Sequence, residues 1–281
     1  MIGAAALAAL SLLATGCGSE TALTPAQTLA SVKGKVSANQ SVRMTMVATA
    51  EKEPGTMRSE IVARLGDNPA MSMTMDMPEE AVEPGESTRM EMRLLDNVMY
   101  MNMGEDFPGA EPGKPWLRMD LKALGEAGGQ DLTGLMDKSL GAQDPSAQIA
   151  LLQRAGDLRE VGKETVNGVK ATRYSGTVDL TKLAELTAES LELTDDQLKD
   201  FREMVQEEGA PTTTVVDVWI GKDKLPTRMT MRFQDPEAGT ITMTCDYTGW
   251  GEPVDVVAPP AAQTADAGDF FREMAEEAEA A

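Results

Sequence analysis

The stretch "AMSMTMDM", residues 70–77, sets a methionine at every second position: Met71, Met73, Met75 and Met77. Serine, threonine and aspartate fill the places between. Residues i and i+2 of a strand project to the same face of a sheet, so the stretch predicts a strand with one apolar and one polar side. The pattern recurs in "SVRMTMVATA" (41–50), "MRSEIVARL" (57–65), "TRMEMRLL" (88–95) and "VMYMNM" (98–103), each bounded by Pro, Gly, Asp or Asn. Asp96-Asn97 joins the last two with residues that tolerate positive φ, which predicts a hairpin. "KPWLRMDL" (114–121) reads as one more strand. The first half is an antiparallel meander.

Helices bracket and interrupt the strands. "TPAQTLASVKGKV" opens with Thr24 as N-cap, Pro25 at N1 and Gln27 closing a capping box, and Leu29, Val32 and Val36 share a face. After the flexible "GEAGGQ", "DLTGLMDKSLG" reads as a short helix. Asp144 and Pro145 start another, carrying Ile149 and Leu152 and stopped by Gly156. "LREVGKETV" and "VKATRYSGTVDL" form a hairpin through Asn167-Gly168. "TKLAELTA" (181–188) and "TDDQLKDFREMVQEEG", with a second capping box at Thr194 and Gln197, are helical. The strands "TTTVVDVWIG", "LPTRMTMRF" and "GTITMTCDYTGW" then finish the sheet. Strands at both ends with helices between them predict one α+β domain, a sheet with helices on one face.

The period of two gathers an apolar wall. Val42, Met44 and Met46 fall on one side, as do Met71, Met73, Met75 and Met77; Met90, Met92 and Leu94; and Met99, Met101 and Met103. From the second half come Val216, Val218 and Ile220; Met229, Met231 and Phe233; and Ile241, Met243 and Cys245. Fourteen of the chain's 20 methionines lie on this wall, in a chain only 4% aromatic. The intervening positions are polar, so the other face is read as solvated.

Three readings of the wall compete. It is a core packed against helices, with methionine as gap-filler. It is the lining of a cavity for a fluid apolar ligand, since a soft thioether repacks around varied shapes. Or it holds copper(I), for which thioethers are suitable ligands. Methionine specifies packing poorly, and compact cores prefer Leu, Ile, Val and Phe, which lose less rotamer entropy on burial. Against copper stand the lack of histidine and the spread of the pattern over whole strands. Lone Cys245, in phase with Met243, is read as an inert buried thiol.

Charge and composition exclude several functions. A formal charge of −21 repels a phosphate backbone, so no nucleic-acid partner is expected. With no histidine, triads built on Ser-His-Asp or Cys-His are ruled out. No constellation of carboxylates or lysines points to catalysis, and no cofactor or metal is called for.

Residues 1–16, "MIGAAALAALSLLATG", are apolar and uncharged, too short to span a bilayer and suited to a signal-peptide core. Cys17 follows in "LLATGC", and small residues before a cysteine let a peptidase grip the extended chain and free the thiol for a diacylglycerol. The motif resembles a bacterial lipobox. It departs from the usual form in having Ala14 where leucine is common and no basic residue before the apolar run, so a start upstream of Met1 is expected. Acyl chains on Cys17 would anchor the chain to the cell membrane, each buried methylene contributing about 0.8 kcal/mol. The expected organisation is a signal peptide (1–16), a tether (17–24), a ligand-binding domain (25–257) and an acidic C-terminal tail (258–281).

The lipobox, the meander and the helical middle, followed by "VNGVKATRYSGTVDL", "VWIGKDKLPTRMTM" and "YTGWGEPVDVVAPP", together resemble the LppX/LprG-type lipoproteins of mycobacteria and their actinobacterial relatives (LppX, LprA, LprF, LprG). Tyr174, Trp219, Asp223, Leu225, Pro226 and the Gly251–Pro253 turn carry the likeness most clearly. The resemblance implies a half-barrel, a strongly curved antiparallel sheet with helices on its concave face around a lipid cavity, and a role in binding or moving acylated lipids and glycolipids at the envelope.

The expectation is therefore a non-enzymatic lipoprotein, lipid-anchored on the extracytoplasmic face through Cys17, whose ligand is an acylated lipid or glycolipid. Met44, Met46, Met71, Met73, Met75, Met90, Met92, Met99, Met101, Met103, Val218, Met229, Met231 and Met243 are the expected ligand contacts. The helices around 25–37 and 181–208 would form the opposite wall or a lid. The alternative is a structural or interaction lipoprotein with a filled core, docking on an envelope protein.

Overall fold

Thr24 starts the first helix as its sequence requires. Its hydroxyl accepts from the Gln27 amide (3.3 Å), while its own amide donates to Gln27 Oε1 (2.9 Å), closing the capping box. The computed structural model describes residues 24–53, 55–66, 68–79, 87–102, 112–123, 145–191 and 211–268, together with 82, 104, 133, 134 and 136. The signal segment, Cys17, Met103, the helix expected from Thr194, most of 131–141 and the tail from 269 lie outside the described residues.

The helix α1 (Pro25–Ala38) is followed by β1 (Ser41–Ala50), β2 (Met57–Arg64), β3 (Ala70–Asp76), β4 (Arg89–Leu95), β5 (Val98–Asn102) and β6 (Trp116–Asp120). Next come α2 (Pro145–Ala155), β7 (Arg159–Val166), β8 (Val169–Asp179), α3 (Leu180–Leu191), β9 (Thr213–Gly221), β10 (Pro226–Asp235), β11 (Gly239–Thr248) and β12 (Thr264–Asp266). They build one open sheet of 12 strands in the order β12-β6-β5-β4-β3-β2-β1-β11-β10-β9-β8-β7. The fold is α+β. Two antiparallel meanders meet where β1 pairs with β11, and among the described residues only β12 runs parallel to its neighbour.

Turn chemistry sets the hairpins. Asp96 (φ 52°) and Asn97 (φ 61°) take left-handed backbone between β4 and β5, and Asn167 (φ 51°) and Gly168 (φ 78°) do so between β7 and β8. Glycine is required sterically at Gly156, just past α2. A Cβ there would lie 2.6 Å from the Thr177 carbonyl oxygen, because the helix end bridges onto β8.

The register puts the apolar wall on one face. Met73 stands opposite Ile61 and Met92, Met92 opposite Met101, and Met44 opposite Ile61 and Tyr247. Beyond the seam, Met46 pairs with Cys245, Cys245 with Met229, and Met229 with Val218. The helices lie on this face over the second meander. Leu29, Val32 and Val36 of α1 and Ile149 and Leu152 of α2 form one core with Tyr174, Val178, Val216, Val218 and Ile220.

The opposite face is not uniformly solvated. Over β9 it is sealed: Asp217 is fully buried, and Trp219 is 7% exposed. Arg173 (2.9 Å) and Arg232 (2.6 Å) both bind the Asp217 carboxylate, and the Arg173 guanidinium stacks 5.2 Å from the Trp219 ring. Burial pushes the Asp217 carboxyl upward, but hydrogen bonds from Ser175, Arg232 and Arg173 outweigh it and hold it below the usual range. Alternation alone had placed these side chains in water; long arginine stems cover them instead.

Part of the expected acidic C-terminal tail (258–281) takes part in the sheet, as β12. From β11 the chain must pass six strands to reach β12 beside β6. Arg93, on the polar face, donates through Nη1 to the Val257 carbonyl (3.1 Å), so the strap crosses that face. Arg118 then links β6 to β12 through Asp266 (3.0 Å).

Candidate functional site

Between the sheet and the two helices α2 and α3 lies a cavity of about 330 Å³. Its floor comes from the four strands around the seam: Met44 and Met46 on β1, Ile61 on β2, Met229 and Met231 on β10, and Met243, Cys245 and Tyr247 on β11. Gln148, Leu151 and Leu152 of α2 and Leu183 and Thr187 of α3 roof it. Two adjacent cross-strand rows converge here, Met46–Cys245–Met229 and Met243–Met231, which is why residues far apart in sequence meet.

The surroundings are apolar. Among the described residues the lining carries no charged side chain. The Thr187 hydroxyl is spent within its own helix, donating to the Leu183 carbonyl (2.8 Å). Burial pushes the Cys245 thiol up to about 11, so at neutral pH it stays protonated and is neither nucleophile nor thiolate ligand. Tyr247 stacks on Trp250 at 6.1 Å, and the Trp250 indole donates to the Pro226 carbonyl (3.0 Å), which props this end of the floor. Such a hollow can take up hydrocarbon and offers little to a polar reactant.

The expected contacts divide into three groups. Met44, Met46, Met229, Met231 and Met243 come together at the cavity. Met71, Met73, Met75, Met90, Met92, Met99 and Met101 continue the same face across β3 to β5 without lining it; Met71 is buried and the rest are half-buried. Val218 is instead fully buried in the core beneath the helices. Leu183 and Thr187 fall in the stretch 181–208 expected to form the opposite wall or a lid. The 25–37 helix, expected there too, does not line the cavity, and Leu151 on α2 and Ile61 on the floor escaped sequence reading. The apolar face of α2 was legible at Ile149 and Leu152, but which strands it covers depends on sheet order.

Among the described residues there is no group of three or more Cys, Asp or Glu arranged to hold a metal ion. No helix among them is long and apolar enough to cross a membrane.

No protein-family model matches the chain. It is 34% identical over 192 residues to an uncharacterised 31.2 kDa protein of Streptomyces griseus from the rplA–rplJ intergenic region, covering 68% of this chain and 60% of that one. It is 29% identical over 188 residues to a Streptomyces coelicolor protein named as a candidate lipoprotein, covering 67% and 53%. The chain thus spans little more than half the length of these relatives. Solved structures similar to it include LppX of Mycobacterium tuberculosis (14% identity, 82% of this chain and 98% of that one, TM-score 0.42). LprF of Mycobacterium bovis is another (14% identity, 85% and 100%, TM-score 0.45).

Proposed function

We propose that this chain is an extracytoplasmic lipoprotein, anchored through acyl chains on Cys17, that takes up the hydrocarbon of an acylated lipid between its sheet and its helices. The observation that carries the reading is the uncharged cavity floored by Met44, Met46, Met229, Met231 and Met243 and roofed by leucines. Its volume of about 330 Å³ stands at the lower end of the ~300–1,000 Å³ usual for ligand sites. Five thioethers on the floor give it walls that adjust to chains of different shape. The methionines of β3 to β5 extend the same apolar face, and a longer ligand would follow them if the sheet curves as a half-barrel. Binding is reversible sequestration: methylenes leave water or bilayer for an apolar hollow, and no bond is broken. The lipobox-like "LLATGC" and the lipoprotein name of the Streptomyces coelicolor relative support the anchor.

Native mass spectrometry of the purified chain, with solvent extraction of whatever accompanies it, tests the reading. Co-purifying lipid is the expected result, and Met231→Phe with Met243→Phe should reduce it several-fold by filling the hollow without unfolding the sheet. A clean apo mass, unchanged after incubation with lipid vesicles, would leave a filled envelope module instead.

A further inference from the structure

A second hollow lies at the β7 edge of the sheet. It is a cleft of about 1350 Å³ between Thr28 of α1 and the ends of β7 to β9. Four lysines line it: Lys163 on β7, Lys170 on β8, and Lys222 and Lys224 in the turn after β9. Lys163, Lys170 and Lys222 are exposed, Lys224 is half-buried, and none of the four is held in an ion pair among the described residues. Two glutamates share the cleft. The Glu164 carboxylate is already taken by Arg173 (3.2 Å) and by the Trp219 indole (3.1 Å), while Glu160 lines the cleft beside the lysines. Four lysines against Glu160, Glu164 and Asp223, which sits between Lys222 and Lys224, still leave a local excess of positive charge of +1 in a chain of −21.

That contrast is not averaged away, because charges beyond about 8 Å are screened at physiological ionic strength. The cleft therefore presents a basic patch to anything that enters it. Lysines on flexible stems, with no arginine fork, suit several phosphates at loose geometry better than one phosphate held tightly. The cleft is also far larger than a single phosphate. Its place in the chain points the same way. The Tyr174 phenol is hydrogen-bonded to Thr28, which ties the first turns of α1 to this edge of the sheet. Six residues separate Cys17 from Thr24, seven chain steps and a reach of at most about 25 Å.

We propose that the Lys163–Lys170–Lys222–Lys224 cleft binds the phosphate headgroups of anionic phospholipid, and so sets the domain on the surface of the membrane that carries its anchor. The orientation rests on the lipoprotein reading above; the headgroup chemistry does not. Bound this way, the β7 edge and the start of α1 face the bilayer.

The test uses the full chain with Cys17→Ser, so that no acyl chain contributes. It is sedimented with vesicles of phosphatidylcholine alone and with vesicles that also contain phosphatidylglycerol. The apolar segment 1–16 adds the same background to both. A preference for the anionic vesicles on the order of tenfold is expected, vanishing at high salt, since each lysine at such a surface contributes about fivefold or less. Replacing the four lysines by glutamine should abolish the preference, and replacing them by arginine should preserve it. If the glutamine variant fails to fold, the arginine variant and the salt dependence of the parent still decide the matter. Equal binding to both vesicles, or an undiminished preference in a folded glutamine variant, overturns the proposal. Inorganic phosphate that displaces the chain at matched ionic strength overturns the headgroup source and leaves a soluble phosphate site. Acylation of Cys17 is read separately from the mass of the native protein, so its failure is distinguishable from failure of the cleft.

Discussion

The two meanders of this sheet use the same alternating pattern to different ends. In β8 and β9 the inward positions are Val178, Val216, Val218 and Ile220, at most 2% exposed beneath the helices. In β3 to β5 the equivalent positions are mostly methionine: Met71 and Leu94 are buried, but Met73, Met75, Met90, Met92, Met99 and Met101 are only half-buried. Branched side chains have few rotamers to lose and hold one packing, so they stand where helices dock permanently. Methionine keeps three rotatable bonds and a polarizable sulfur, which suits a surface whose covering can change. The cavity lies between these regimes, with thioethers beneath it and leucines above.

The polar face repeats the contrast and offers the largest expected effect. Asp217 on β9 is sealed and depends on Arg173 and Arg232. Arg89 and Glu91 on β4, 3.5 Å apart, are 58% and 27% exposed at the side chain. Removing both arginines (Arg173→Met with Arg232→Met) strands a buried carboxylate and should cost about 3–5 kcal/mol. Arg89→Met should cost less than about 1 kcal/mol, because water replaces the lost partner. Urea unfolding with a constant m-value measures both. Equal losses would erase the distinction between the two halves.

A core comparison comes next in size. Ile220→Ala opens a cavity under α1 and should cost about 2–4 kcal/mol. Met73→Ala, on a half-buried strand, should cost about 1 kcal/mol, since much of its surface never left water. If bound lipid covers the methionines, the two costs should converge when the same unfolding is repeated with ligand present.

Much of this architecture was legible in the chain, for reasons that lie in particular residues. The capping box at Thr24 and Gln27, the Asp96-Asn97 and Asn167-Gly168 turns and the period of two are local chemistry, and each appears where the sequence placed it. Which strands become neighbours is not local. Nothing in β1 announces β11 as its partner, and that pairing alone brings Met44 and Met46 beside Met229, Met243 and Cys245. The burial of Asp217 was equally hidden, because it depends on arginines from β8 and β10 reaching across β9. Residues 264–266 form a strand only because a strap across the polar face delivers them to β6.

Acid should weaken the second meander through its carboxylates. Asp217 and Asp246 are both held below the usual range: burial raises each, and hydrogen bonds outweigh it, led by Ser175 at Asp217 and Arg228 at Asp246. A depressed folded value means the unfolded chain binds protons first as pH falls. The stabilisation is therefore complete above about pH 4 and is lost progressively below it. Thermal unfolding followed from neutral pH downward should show this fall, and Asp217→Asn should make it shallower. A slope unchanged in that variant would remove Asp217 as its source.

An effect silent at neutral pH belongs to Cys245 at the seam. Burial lifts its thiol to about 11, so the folded chain keeps this proton while an unfolded cysteine, titrating near 8.5, gives it up. The unfolded state then binds fewer protons, and stability must decline as pH rises from about 8.5 toward 11. Cys245→Ala should flatten that decline, and this is read by unfolding at two alkaline pH values. The same thiol reports on the cavity, since it forms part of the floor. Its reaction with a soluble disulfide reagent at pH 8 should be slow in the empty chain and slower still once hydrocarbon occupies the hollow. Labelling that is fast, and indifferent to added lipid, would place the ligand elsewhere on the methionine face, over β3 to β5, and would shift the functional boundary of the sheet away from its seam.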